Sequence, residues 1–553
     1  MTIFPRAFFE ACSPGDETST RTYAARKGPH SAPRHKPAAA WTLCATILLS
    51  GPVSAASVMT QWGTVSEPAL PSASSLYASV PATLAPINGS VDSLDSTPAS
   101  SSPDTARIQA AIDGCTTGQA VKLIQGSAGQ SAFLSGPLHL KSGVTLWIDQ
   151  GITLFASRNP ADYDNGVGTC GTATAANTKS CLPLILAKGT TGSGIVGDGI
   201  IDGRGGSVIT NGPNAGLRSW WDVAYQNKTA GLNQQNPRLV QVTGGTNFTL
   251  YRVTLQNSPN FNVVTDGVSG VTAWSLKILT PSLAYSVKGY ACPAGTTPDK
   301  LTPATCFTPD TVKNTDGFDP GQSSNVLLAY SYISTGDDHV AVKSSTSPGT
   351  QNLTFAHNHF YYGHGLSIGS ETNGSVSNMA VSDLTMDGND SPNGNGLRIK
   401  SDVSRGGTVS GVTYTGVCMR NTAQPLVFDP FYSSANGTLY PNFTGITIRD
   451  FHYLGSTKYK GGKLTFQGYE ANGQNNPLVI ALDNVVFDGT QPTLSKSAAT
   501  HFTLGPGAVS LSNQIVTSSA NDVTVSGSPG NSVPVDCSTA FVPLNSVLPS
   551  SPI

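Results

Sequence analysis

Four short stretches between residues 314 and 400 carry the side chains best suited to chemistry. They are Asn314-Thr315-Asp316, Gly336-Asp337-Asp338, Gly363-His364-Gly365 and Arg398-Ile399-Lys400. Three carboxylates brought close together cannot all ionise cheaply, so at least one pKa is expected to rise. A raised carboxylic acid beside ionised carboxylates is what glycoside hydrolysis needs: one group protonates the leaving oxygen while another activates water. Arg398 and Lys400 stand two residues apart, on one face of a strand, and can offer two cations to a substrate carboxylate. His364 lies between glycines expected to let a sugar ring approach the backbone. Strand alternation predicts that Asp337 and Asp338 point to opposite faces, with Asp316, from the previous coil, able to approach one or both. Each motif alone has a plainer reading: a turn, a solvated cap, a solvated strand face, or a Ca²⁺ site for the carboxylates. The specificity lies in their order and spacing.

That spacing requires a scaffold that repeats. Asp316 to Asp337 is 21 residues, Asp337 to His364 is 27 and His364 to Arg398 is 34. The last interval holds 387–395, read as an inserted loop. Strand-like runs opening on Asn recur at Asn247, Asn325, Asn352 and Asn378, the last three 27 and 26 residues apart. A loose period in the twenties is the signature of a parallel β-helix, whose coils must stack to bury their interiors. Neighbouring strands sit ~4.8 Å apart, so residues at one phase of successive coils form a column. Asn accepts left-handed geometry at the turns and can ladder its amide from coil to coil. The only convincing helix is 104–113, expected to cap one end of the stack. A β-sandwich is the competing fold, but hairpin turn signals every 8–12 residues are not a feature of the sequence.

The composition suits such a scaffold. Only 12% of the 553 residues are charged, and Gly (59) and Pro (37) are abundant, which excludes a coiled coil, a helical bundle and a charge-driven disordered chain. Residues 1–56 hold six Lys/Arg against three Asp/Glu, leaving the remainder at a net charge of −5. A mildly acidic body has no long-range attraction for nucleic acid, so any polyanion must be gripped by a local basic patch. The basic lead and short apolar run ending at Ala55-Ala56 read as an export signal, too short to span a membrane. The expected organisation is a signal peptide over 1–56, a Ser/Ala/Pro-rich linker or loosely packed arm over 57–95, and a β-helix catalytic domain over 96–553. Of the seven cysteines beyond the signal, Cys170–Cys181 and Cys292–Cys306 each close a local loop and are expected to pair in an oxidising compartment. The odd count leaves at least one thiol unpaired or bonded between molecules.

Taken together, the four motifs resemble those of glycoside hydrolase family 28, the polygalacturonases, especially the secreted bacterial pectin-degrading enzymes. The likeness spans roughly residues 100–540 and is supported by the 197–203 stretch Gly-Asp-Gly-Ile-Ile-Asp-Gly, by Asn236-Pro237-Arg238 and by Asn257-Ser258-Pro259. It implies an all-β, right-handed parallel β-helix that hydrolyses α-1,4-galacturonosyl bonds with inversion. It further implies Asp337 as general acid, Asp316 and Asp338 as holders and activators of water, and His364 as the group beside the acid. Arg398 and Lys400, with Tyr432 in the cleft, would bind substrate. The expected protein is a secreted, extracellular monomer acting on polygalacturonate, with no cofactor, no metal, no nucleic acid and no membrane. Endo action is the leading reading; exo action, a Ca²⁺-dependent pectate lyase and a non-enzymatic β-helical adhesin are the alternatives.

Overall fold

The computed structural model describes residues 55–95, 101–176 and 178–553; residues 1–54, and with them almost all of the expected export signal, lie outside that range. Twenty-nine strands form one continuous, largely parallel sheet wound as a β-helix. The successive strands Ile185–Lys188, Val240–Thr243, Val263–Asp266, Phe318–Gly321, Val340–Val342 and Leu366–Ile368 pair in parallel along one wall. A second wall runs through Thr246–Tyr251, Ser269–Trp274, Ser324–Ala329 and Thr350–Phe360. Each strand sends alternate aliphatic side chains inward, giving a core filled from Val80 to Val523. The expected amide ladder is present: Asn352 Nδ2 donates to Asn325 Oδ1 at 3.1 Å and Asn378 Nδ2 to Asn352 Oδ1 at 3.3 Å. All three residues hold φ at +56°, which Asn tolerates better than other residues with a side chain.

Helix α1 spans Thr105–Gly114 and turns Ile108 and Ile112 into the first coil. A second helix, α2 (Trp220–Ala230), departs from the one-helix expectation. Its ends are marked by a reciprocal Ser219/Asp222 capping box and by Gly231 at φ +68°. Its apolar run is only Trp220, Trp221, Val223 and Ala224, too brief to register as a helical period. The stretch 387–395 also differs from expectation. It continues the strand Val376–Lys400, and its extra residues are absorbed as register shifts against Thr408–Asp429 rather than as a loop.

Residues 57–81 do not form a loose arm. Ser57–Thr60 and Gly63–Ser66 make a hairpin, and Val58 packs with Val196, Tyr251, Trp274 and Leu327 on the outside of several coils. Leu76–Pro81 then pairs with Ala120–Ile124 as the first rung. Low periodicity misleads here because the partner is the solenoid's outer wall, not a sequence neighbour. The C-terminal tail behaves similarly. It runs back along the coils, Val533 O accepting from Asn484 Nδ2, Val542 O from the Tyr361 hydroxyl and Pro552 O from the Gly289 amide. Both expected disulfides are formed, a third joins Cys418 to Cys537 in the tail, and Cys115 is free and buried.

Candidate active site

The parallel register builds the site. Val240, Val263, Phe318, Val340 and Leu366 are successive partners. The residues two positions before each are Arg238, Phe261, Asp316, Asp338 and His364, which therefore form one column. Ser367 and Arg398 are partners one position beyond Leu366 and Leu397. Asp337 and Asp338 lie in a bend before Val340–Val342 rather than within a strand, so alternation does not separate them. Gly336 makes the bend possible: a Cβ there would sit 2.3 Å from Val312 O.

Asp338 is almost fully buried and gripped on both oxygens. Oδ1 accepts from Arg398 Nη2 and from Ser367 Oγ, and Oδ2 accepts from Lys400 Nζ at 2.8 Å. Arg398 Nε also donates to Ser367 Oγ at 2.9 Å. Burial pushes the Asp338 pKa up, but Arg398 and Lys400 outweigh it and hold the group below the ordinary carboxylate value. Asp337 is the more exposed of the adjacent pair, and its Oδ1 lies 3.0 Å from His364 Nδ1. Burial again acts upward, and the imidazole together with Lys400 and Arg398 brings Asp337 strongly downward. Asp316 goes the other way. Burial and the charges of Asp319 and Asp337 drive it well above the usual range, with Lys343 opposing at 3.7 Å. The expected raised carboxylate is therefore present, and in the free protein it is Asp316.

The glycines flanking His364 do not face an approaching ligand. A Cβ on Gly363 would meet the His339 ring at 2.6 Å, and one on Gly365 would meet Gly396 O at 2.3 Å; they permit close stacking of coils. His339 is a buried support. It stacks on Phe360 at 4.9 Å, its Nε2 faces Tyr361 O at 3.0 Å, and its Nδ1 accepts from the Gly365 amide at 3.2 Å. Burial lowers its pKa to about 4, so the ring is neutral. Tyr432 is half exposed, with Lys400 Nζ 5.0 Å from its ring centroid.

Sequence reasoning missed Asp319 and Lys343. Asp319 is buried, with Lys343 Nζ 2.9 Å from its Oδ2. Burial raises its pKa to about 6 despite that ammonium, and the two neighbouring carboxylates hold Lys343 above its ordinary value against its own burial. Asp319 stands an odd number of residues from Asp316 and so reads as the opposite face, but Asp316 precedes the strand and alternation does not apply. Ala341, Ser367 and Arg398 are successive partners, so Lys343, two positions on from Ala341, repeats the phase of Lys400, two on from Arg398.

Asp337, Asp338 and His364 each place a ligand atom within 4.8 Å of the others. A cation there would have to displace Arg398 and Lys400 from Asp338, so the donor set is poorly suited to one.

Parallel coils that bring three carboxylates, an imidazole and paired cations to one face define a β-helical hydrolase. Residues 115–500 match glycosyl hydrolases family 28, and the chain belongs to that family. It is 66% identical over 521 residues to the polygalacturonase of Ralstonia nicotianae, covering 92% of this chain and 98% of that one. It is 42% identical over 388 residues to an endo-polygalacturonase of Pectobacterium carotovorum subsp. carotovorum, covering 70% and 85%. The solved polygalacturonase from Erwinia carotovora ssp. carotovora superposes with a TM-score of 0.64 at 38% identity, covering 79% of this chain and 98% of that one.

Proposed function

We propose that the protein is a secreted endopolygalacturonase that hydrolyses α-1,4-galacturonosyl bonds of polygalacturonate with inversion. The observation that carries this reading is the contrast between Asp337 and Asp338. Asp338 is locked by two cations, whereas Asp337 is accessible and tied to one imidazole. In this reading Asp337 donates the proton to the leaving oxygen, and Asp316 and Asp338 hold and deprotonate the attacking water. Arg398, Lys400 and Tyr432 bind the sugar at the cleavage point.

The proton has to reach Asp337, which the free protein keeps ionised. Arg398 and Lys400 contribute to that ionisation, and a galacturonate carboxylate bound beside them offsets their charge and raises Asp337. Asp316, already disposed to hold a proton, is the nearby source, and losing that proton turns it into the base. Two carboxylates and a water suffice for this chemistry, with no metal required. The disulfides suit an oxidising, extracellular location, and among the described residues no helix is long and apolar enough to cross a membrane. We further read the protein as a monomer with no affinity for nucleic acid.

Product analysis on polygalacturonate in EDTA tests the proposal. The expected result is a mixture of oligomers with inverted anomeric configuration and no unsaturated ends, and loss of at least ~10³-fold in kcat in Asp337→Asn. Monomer alone would convert the reading to exo action. Unsaturated products, or activity abolished by EDTA, would overturn hydrolysis in favour of a lyase.

A further inference from the structure

His339, directly after the acid pair, is 1% exposed, and both of its ring nitrogens are engaged. Nε2 lies 3.0 Å from Tyr361 O, which can only accept, so Nε2 carries the proton. Nδ1 takes the Gly365 amide at 3.2 Å, so Nδ1 is bare. The two partners together select a single tautomer of the neutral ring. The ring is also wedged from its faces: it stacks on Phe360 at 4.9 Å, and it fills the space that a Cβ on Gly363 would need.

Those two partners bracket His364. Tyr361 stands three residues before it and Gly365 one after, so one rigid imidazole spans the bend that carries the other. The His339 amide adds a bond to Gly365 O at 3.0 Å. On the far side of the bend, the His364 amide donates to Asp337 O at 2.8 Å, and its Nδ1 lies 3.0 Å from Asp337 Oδ1. The aim of His364 at Asp337 therefore depends on a bend that the His339 ring holds at both ends.

We propose that His339 is a positioning residue: its neutral ring clamps the bend at 361–365 so that His364 meets Asp337, and a second proton, on Nδ1, opens the clamp. The inference rests on the polygalacturonase reading, in which Asp337 is the acid and His364 the group beside it. A protonated Nδ1 turns an N–H toward the N–H of Gly365, which is buried and then has no acceptor. Of the charged and titratable groups facing the ring, Asp338 favours the second proton and His364 opposes it. Burial is the larger influence and keeps the clamp closed until the pH falls to about 4. Displacing a group at the reacting centre by about 1 Å can cost ~10²-fold in rate, so a clamp that only orients is still read in kcat.

The test compares His339→Leu, which makes neither bond, with His339→Asn, whose Oδ1 can take the Gly365 amide in place of Nδ1 and gains no proton. On polygalacturonate near pH 6, His339→Leu should lose about tenfold in kcat with KM within about twofold of the parent, since Arg398 and Lys400 are untouched. His339→Asn should recover most of that loss. Lowering the pH from about 6 to about 3.5 should reduce the kcat of the parent relative to His339→Asn about threefold, as most His339 rings gain the second proton. A folded His339→Leu with the parent's kcat, or a parent-to-Asn ratio that ignores pH, would overturn the clamp while leaving the proposed function standing. Nitrogen NMR of histidine-labelled protein needs no substrate, and it decides if His339→Leu fails to fold or the parent is inactive on polygalacturonate. The His364 ring signals of the parent should show an inflection near pH 4 that His339→Asn lacks; identical curves in the two proteins would overturn the clamp.

Discussion

Asp319 and Lys343 change how the site's protons are counted. Asp316, Asp319 and Lys343 form a buried group with two carboxylates and one ammonium in contact, so the group is neutral only when one proton remains. Asp319, with its folded pKa at about 6 against the ordinary 3.8, binds a proton more tightly folded than unfolded. Its contribution to stability is therefore greatest at low pH and declines as pH rises from about 4 to 6, by ~3 kcal/mol at 1.36 kcal/mol per unit. Neutral His339 acts with the opposite sign, adding stability as pH climbs from about 4 to 6.5. Asp319→Asn removes only the first of these. Chemical denaturation of the variant relative to the parent, measured from pH 4 to 6.5, should show a stability difference that shifts by ~3 kcal/mol in the variant's favour as pH rises. A difference independent of pH would mean that Asp319 is ionised throughout. At this scale the sequence was legible where a residue sits inside a regular coil, as with Arg398 and Lys400. It was misleading at the bend of Gly336–Asp338, where alternation has no hold.

Among the elements, the column of site residues was readable because motif spacing equals coil length. The straps were not. The hairpin at 57–66 and the tail after residue 530 have no internal period, since their apolar side chains match the wall of the solenoid rather than each other. The tail is nevertheless fixed by specific bonds, foremost Cys418–Cys537 across 119 residues, a closure worth about 4–5 kcal/mol on a chain-entropy account. It is reinforced by Arg420 stacked 4.1 Å over Phe541 and by Leu544 and Leu548 against Leu279 and Tyr361. Cys537→Ser should leave kcat on polygalacturonate within twofold of the parent, because the tail touches none of the site residues. Limited proteolysis should then cut the variant in the tail at least tenfold faster. Equal resistance in both proteins would show that the noncovalent contacts alone hold the tail.

The molecule as a whole sets an acidic body against a furrow in which cations and carboxylates are paired. Beyond residue 56 the net charge is −5, whereas Arg238, Lys343, Arg398 and Lys400 share one wall with Asp316, Asp319, Asp337 and Asp338. At an ionic strength of about 0.01 M charges act across ~30 Å and the body repels a polyanion; near 0.15 M the range falls to ~8 Å and only the furrow is felt. KM for polygalacturonate should therefore pass through a minimum at intermediate salt and climb again as contact pairs are screened. A steady rise from the lowest salt would remove the body's repulsion from the account. The two straps carry a mechanical consequence. A bare solenoid touches only neighbouring coils and comes apart by peeling from an end. Here the hairpin bonds as far along as Asn378 O, and the tail returns as far back as Gln256. Tension applied to the two chain ends is resisted in shear by many contacts loaded at once, so a hydrolase dragged along a stiff polymer gel has its tethers laid lengthwise, like stays on a mast.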